Sequence, residues 1–107
     1  MDGAQREMSL SLHMAQVATI CRQYGVARLA LFGSILRDDF TEDSDIDVLS
    51  TLAPDSPVHT LLDWIHLKQA LEDLWHHPVD LVDPERLHPL IRDEVMAEER
   101  VIYVAPS

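Results

Sequence analysis

Little in this chain is cationic. Eight lysines and arginines stand against 19 aspartates and glutamates, a formal net charge of −11 over 107 residues. Binding to a nucleic-acid backbone needs clustered cations, so no direct nucleic-acid contact is expected. Anionic membranes are disfavoured on the same ground. The acidic excess suits a basic protein partner, or simply keeps the domain in solution. There is one cysteine, Cys21, which excludes an internal disulfide and a cysteine zinc cluster. It falls among helically spaced apolar positions and reads as an inert core thiol. No apolar run approaches the roughly 20 residues of a membrane span. Residues 1–10 lack a cationic start followed by an apolar block, so no secretory signal is expected. The expected compartment is the cytoplasm.

What is present has the balance of a globular protein, 47% hydrophobic and 25% charged. One domain over residues 1–107 is expected. That length buries a modest core, but not a catalytic domain together with a separate acceptor-binding domain. No internal repeat or low-complexity linker divides it.

Met14, Val17, Cys21 and Tyr24 recur at helical spacing, with Ser9 or Ser11 as the starting cap and Gly25 as the stop. Residues 26–32 read as a short buried strand, 34–39 as a brief helix and 40–44 as a polar connection. A second strand is expected over 45–51 and a loop over 54–57. Residues 58–75 carry a broad apolar stripe that includes Leu61, Leu62, Trp64, Leu67, Leu71 and Trp75, and Pro78 ends it. Residues 79–82 read as a third strand. A further helix over 87–96 is expected to turn Leu87, Leu90, Ile91 and Val95 inward, before an edge strand over 101–104. Helices and strands alternate, so a layered α/β arrangement with helices on a small mixed sheet is expected.

The most informative run is Gly33-Ser34, ten residues, then Asp45-Ile46-Asp47. Side chains at i and i+2 of a strand share a face, so Asp45 and Asp47 project together. Adjacent carboxylates repel, and a cation between them removes that penalty. A hard divalent ion such as Mg²⁺ takes oxygen ligands of this kind. Asp80, flanked by Val79 and Leu81 on a neighbouring strand, is within reach of the same place. Two metal ions bridged by three aspartates activate an attacking hydroxyl and steady a leaving pyrophosphate. Gly33 has no Cβ to hold a phosphate off the backbone. Ser34 opens a helix, whose first N–H groups favour an anion. Arg37 stands one turn on, placed either to contact phosphate or to pair with an acid.

Together these residues resemble the DNA-polymerase-β-like nucleotidyltransferase superfamily. Leu31-Phe32-Gly33-Ser34, Ser44-Asp45-Ile46-Asp47 and Val79-Asp80-Leu81 resemble its minimal nucleotidyltransferase branch, over about residues 15–103. The resemblance implies a nucleotidyltransferase fold and transfer of AMP from ATP with release of pyrophosphate. It implies Asp45, Asp47 and Asp80 as catalytic metal ligands, with Asp80 also the general base. Gly33, Ser34 and Arg37 would hold the nucleotide. Minimal members commonly act as antitoxins of a HEPN-domain ribonuclease, by binding it or by adenylylating its tyrosine, which implies a HEPN toxin as the partner here.

Many members carry Arg-x-Arg-Gly after the glycine-serine pair. Here the stretch is Ile35-Leu36-Arg37-Asp38. That departure motivates a rival reading, an antitoxin that neutralises by docking alone. A small-molecule nucleotidyltransferase is a further alternative. Asp43, Asp45 and Asp47 imitate an EF-hand loop, but Val48 and Pro54 stand where its glycine and glutamate belong. Asp83 reads as a cap before Pro84. His76 and His77 read as surface residues ending the long helix.

Overall fold

A computed structural model describes residues 12–37, 40–41 and 43–106. In chain order it holds α1 (Met14–Tyr24), β1 (Val26–Phe32), a 3-10 turn (Gly33–Leu36), β2 (Ile46–Leu52) and α2 (Leu61–Trp75). Then come β3 (Val79–Val82), a second 3-10 turn (Pro84–Arg86), α3 (Pro89–Glu98) and β4 (Arg100–Val104). The strands lie in the order β3-β2-β1-β4. β1 is antiparallel to both β2 and β4, while β3 runs parallel to β2. The sheet is therefore mixed, as expected from the sequence. Among the described residues no helix is long and apolar enough to cross a membrane.

Strand parity sorts the side chains. In an antiparallel pair, directly opposite residues point to the same face. The core face carries Leu29 and Leu31 of β1, Ile46 and Val48 of β2, Val79 and Leu81 of β3, and Ile102 of β4. Helices α1 and α2 cover it with Val17, Cys21, Leu67, Leu71 and Trp75. Burial pushes the Cys21 thiol up to about 12, so it stays protonated at neutral pH. The Trp75 indole N–H donates to the Leu12 carbonyl at 2.9 Å. Gly25 ends α1 with φ +66°, a left-handed turn that favours glycine.

Three expectations need correction. The helix of the broad stripe starts at Leu61, not Val58, because Thr60 and Asp63 form a capping box. The Thr60 hydroxyl accepts from the Asp63 N–H at 3.1 Å, and the Asp63 carboxylate accepts from the Thr60 N–H at 3.2 Å. Leu61 and Leu62 consequently sit on the first turn, beyond the edge of the core, and are 74% and 60% exposed. Of the four apolar positions expected inward on the helix that becomes α3, Leu87, just before it, and Val95 are half-buried, but Leu90 and Ile91 turn outward. Leu90 is 72% and Ile91 53% exposed, and no residue of this helix is fully buried. His77 is not a surface residue: it is half-buried and its ring stacks on Phe40, with centroids 5.5 Å apart. His76 does end α2 on the surface. The starting caps Ser9 and Ser11 lie outside the described residues, as do Asp38 and Asp39 in the expected helix over 34–39.

Candidate functional site

The face of the sheet opposite the main core holds the candidate residues. Asp47 of β2 pairs with Phe32 of β1, so the strand leads from that pairing directly into Gly33. On its other side Asp47 is level with Asp80 in the parallel register of β2 and β3. Asp45 lies two residues before Asp47, immediately ahead of the strand. The apolar neighbours Ile46, Val48, Val79 and Leu81 face the core, which turns the intervening aspartates the other way. Asp45 and Asp80 are exposed, and Asp47 is half-buried.

These carboxylates feel one another. The Asp47 carboxyl is raised above the ordinary aspartate range, first by its burial and then by the charges of Asp80 and Asp45. A hydrogen bond from the Ser34 backbone N–H opposes that shift. Among the described residues, no group of three histidine, cysteine or acidic side chains is drawn together as a metal cage. The oxygen-only donor set and the mutual repulsion suit a hard divalent cation. Asp45 and Asp80 are exposed, so their side chains have freedom to rotate toward one.

The glycine-serine turn differs from its expectation in an informative way. The helix expected over 34–39 is a four-residue 3-10 turn, Gly33–Leu36, closed by the Arg37 N–H donating to the Ser34 carbonyl at 2.9 Å. The Ser34 N–H, expected to favour phosphate, lies close enough to the Asp47 carboxylate to favour its charged form. Gly33 has φ +75°, and a Cβ there would lie 2.2 Å from Asp47 Oδ2. The close approach that the glycine permits is thus, in this structure, an approach to Asp47. Of the two readings of Arg37, the structure displays the ion pair: its guanidinium donates to Glu98 at 3.2 Å, with both side chains exposed. Asp83 caps the second 3-10 turn, accepting the Glu85 N–H at 3.0 Å, as expected.

Sequence reasoning missed Glu72. Its carboxylate accepts the Val79 backbone N–H at 2.9 Å and the Lys68 ammonium at 3.0 Å. β3 is an edge strand, and Val79 precedes Asp80, so α2 grips the strand beside the candidate carboxylate. The Lys68/Glu72 spacing of four is a legible helical pair. Its reach to an edge strand is not. The open depression lined by Glu72, His76, His77 and Pro78 lies around this grip and is not lined by the three aspartates. Arg28 was also missed. It makes a two-pronged ion pair with Glu99 at the end of α3, one prong at 3.0 Å.

The arrangement matches known proteins. Residues 15–106 match the family model described as polymerase beta, nucleotidyltransferase. The protein adenylyltransferase MntA of Thermococcus cleftensis is 34% identical over 94 residues, covering 88% of this chain and 90% of that protein. A solved structure assigned to the minimal nucleotidyltransferases is 37% identical with a TM-score of 0.69, over 81% of this chain and 86% of that one. The fold is also similar, at 21% identity and a TM-score of 0.61, to a solved complex of a tri-AMPylated HEPN toxin from Shewanella oneidensis with its MNT antitoxin. That match covers 86% of this chain and 70% of the matched one. On its family match and its close relatives, this chain belongs to the polymerase-beta nucleotidyltransferases, an enzyme family, and to their minimal branch.

Proposed function

We propose that the chain transfers AMP from ATP to a tyrosine hydroxyl of a cognate HEPN-domain ribonuclease toxin, in a Mg²⁺-dependent reaction in the cytoplasm, and so acts as the antitoxin. The observation that carries this reading is the level register of Asp47 and Asp80, with Asp45 two residues away and the Gly33–Ser34 turn beside them. Support for the reaction comes from the relative named as a protein adenylyltransferase. Support for the partner comes from the complex of an AMPylated HEPN toxin with a protein of this fold.

In this reading Asp45, Asp47 and Asp80 hold the cation, which neutralises the triphosphate when bound. Gly33, Ser34 and Arg37 seat the phosphates. Asp80, at the exposed edge, takes the proton of the acceptor hydroxyl. That oxygen forms a bond to the α-phosphorus as the bond to the β-phosphate oxygen breaks, and pyrophosphate leaves.

The test is incubation of the protein with α-labelled ATP, Mg²⁺ and the HEPN partner. Label on the partner is expected with the wild type and none with Asp45→Asn. An unlabelled partner with the wild type overturns the reading. The docking-only antitoxin is the second reading, favoured by the Arg37–Glu98 pair and by the absence of a closed three-ligand cage among the described residues. Neutralisation of the toxin by an Asp45→Asn, Asp47→Asn double variant would select it.

A further inference from the structure

We propose that the outward face of α3 is the docking surface for the acceptor protein, and that it fits a partner presenting an apolar anchor ringed by lysines and arginines. This rests on the adenylyltransferase reading above. Leu90 and Ile91 are the best exposed apolar pair on the carboxylate side of the sheet. Two ion pairs set α3 on that side. Glu99, just past its end, holds Arg28, which points with Asp47 and not with the core because Arg28, Ala30 and Phe32 pair in turn with Thr51, Leu49 and Asp47. Glu98 holds Arg37, one residue after the Gly33–Leu36 turn. A surface that presents a hydroxyl to Asp80 must lie on this side. Leu61 and Leu62, equally exposed, belong to the helix that covers the opposite face.

The charge around the pair selects the occupant. Asp93 and Glu94 lie one turn along from Leu90 and Ile91 and are exposed. With a chain charge of −11, the rim and the long-range field both attract a basic partner. A second copy of this chain fits badly, since a two-fold contact across the same patch sets acid against acid.

The test uses the full chain and the HEPN partner. Variants are Leu90→Asp with Ile91→Asp, Asp93→Lys with Glu94→Lys, and Leu61→Asp with Leu62→Asp as the control. Both α3 variants should raise the half-saturating partner concentration about tenfold. Their calorimetric ATP binding with Mg²⁺ should match the wild type, and the control should saturate normally. The lysine pair replaces exposed side chains, so it decides the matter should the aspartate pair misfold. Normal saturation by a folded α3 variant overturns the proposal. So does a loss confined to the control, or a wild-type dimer that the α3 variants dissolve with no change in partner saturation. Should the wild type bind the partner but transfer no AMP, the enzymatic reading falls alone, and direct binding of partner to the same variants still judges α3.

Discussion

A Cβ built on Gly33 would stand 2.2 Å from Asp47 Oδ2, where the backbone has φ +75°. Alanine in this left-handed conformation costs about 1–2 kcal/mol, and the carboxylate or the turn must also give way. Gly33→Ala is therefore expected to lower Tm by several degrees and to cut transfer activity about 100-fold, the scale of a 1 Å misplacement at a reacting centre. Gly25→Ala is the comparison, with φ +66° and a Cβ 2.7 Å from the Ser56 Cα. It meets backbone, so it should destabilise at least as much, yet leave activity per folded molecule near normal. Thermal unfolding and initial rates of both variants check this. Equal activity losses in the two would break the link between the turn and Asp47.

The raised Asp47 carboxyl has a stability consequence. Its folded pKa exceeds its unfolded one, so the folded state holds the proton more tightly. Stability contributed by this group falls as pH rises from the ordinary aspartate range through the raised folded value, and the penalty is complete above it. Asp47→Asn should accordingly have a higher Tm than the wild type at pH 7 in the presence of a chelator. The gap should close in acid, where the wild-type group is protonated in both states. Adding Mg²⁺ should raise the wild-type Tm and leave the variant's unmoved. A chelated wild type more stable than Asp47→Asn at pH 7 would contradict the repulsion among the three aspartates.

Much of this arrangement was legible in the sequence. β1 and β3 fall where the sequence puts them, because short β-rich runs of seven and four residues bounded by turn residues leave few alternatives. The Gly33, Asp45, Asp47 and Asp80 pattern gave the candidate site, since strand parity converts spacing into a shared face. What escaped was set by contacts between distant segments. The sequence spaced Leu90 and Ile91 like a core stripe, but it does not state whether another layer exists to cover them. Nor does it reveal that Glu72 reaches across to Val79, or that Arg37 meets Glu98. α2 starts three residues after Val58, because the Thr60/Asp63 capping box, and not the apolar Val58, sets its first turn.

The grip of Glu72 on Val79 should matter for both stability and activity. The Glu72 carboxyl is lowered first by the Val79 N–H, with burial opposing and Lys68 adding to the shift. The stabilisation is thus present above the ordinary glutamate range and is lost as pH falls through the folded value. Glu72→Ala should cost about 1 kcal/mol, while Glu72→Gln keeps an acceptor for the strand N–H and loses less. Because Asp80 is the next residue, Glu72→Ala should also need more Mg²⁺ for half-maximal transfer. Urea unfolding and a Mg²⁺ titration of rate separate the two effects. An unchanged Mg²⁺ requirement in Glu72→Ala would reduce this contact to a purely structural one.

Arg37 is engaged by Glu98 in the structure, yet the proposed reaction needs it at the triphosphate. The two demands compete, and the pair is weak enough to yield. Exposed ion pairs are worth roughly 0.2–1 kcal/mol, which is at most about fivefold in an equilibrium. Glu98→Gln should therefore lower the KM for ATP by up to about fivefold at low salt, with kcat little changed. The gain should shrink as salt screens the wild-type pair. Arg37→Ala should raise the same KM by removing a phosphate donor. Measuring both variants across a salt series distinguishes the cases. A KM untouched by Arg37→Ala would leave this arginine a tether for α3 alone, whereas a KM raised by Arg37→Ala but indifferent to Glu98→Gln would mean that the guanidinium reaches nucleotide without leaving its carboxylate.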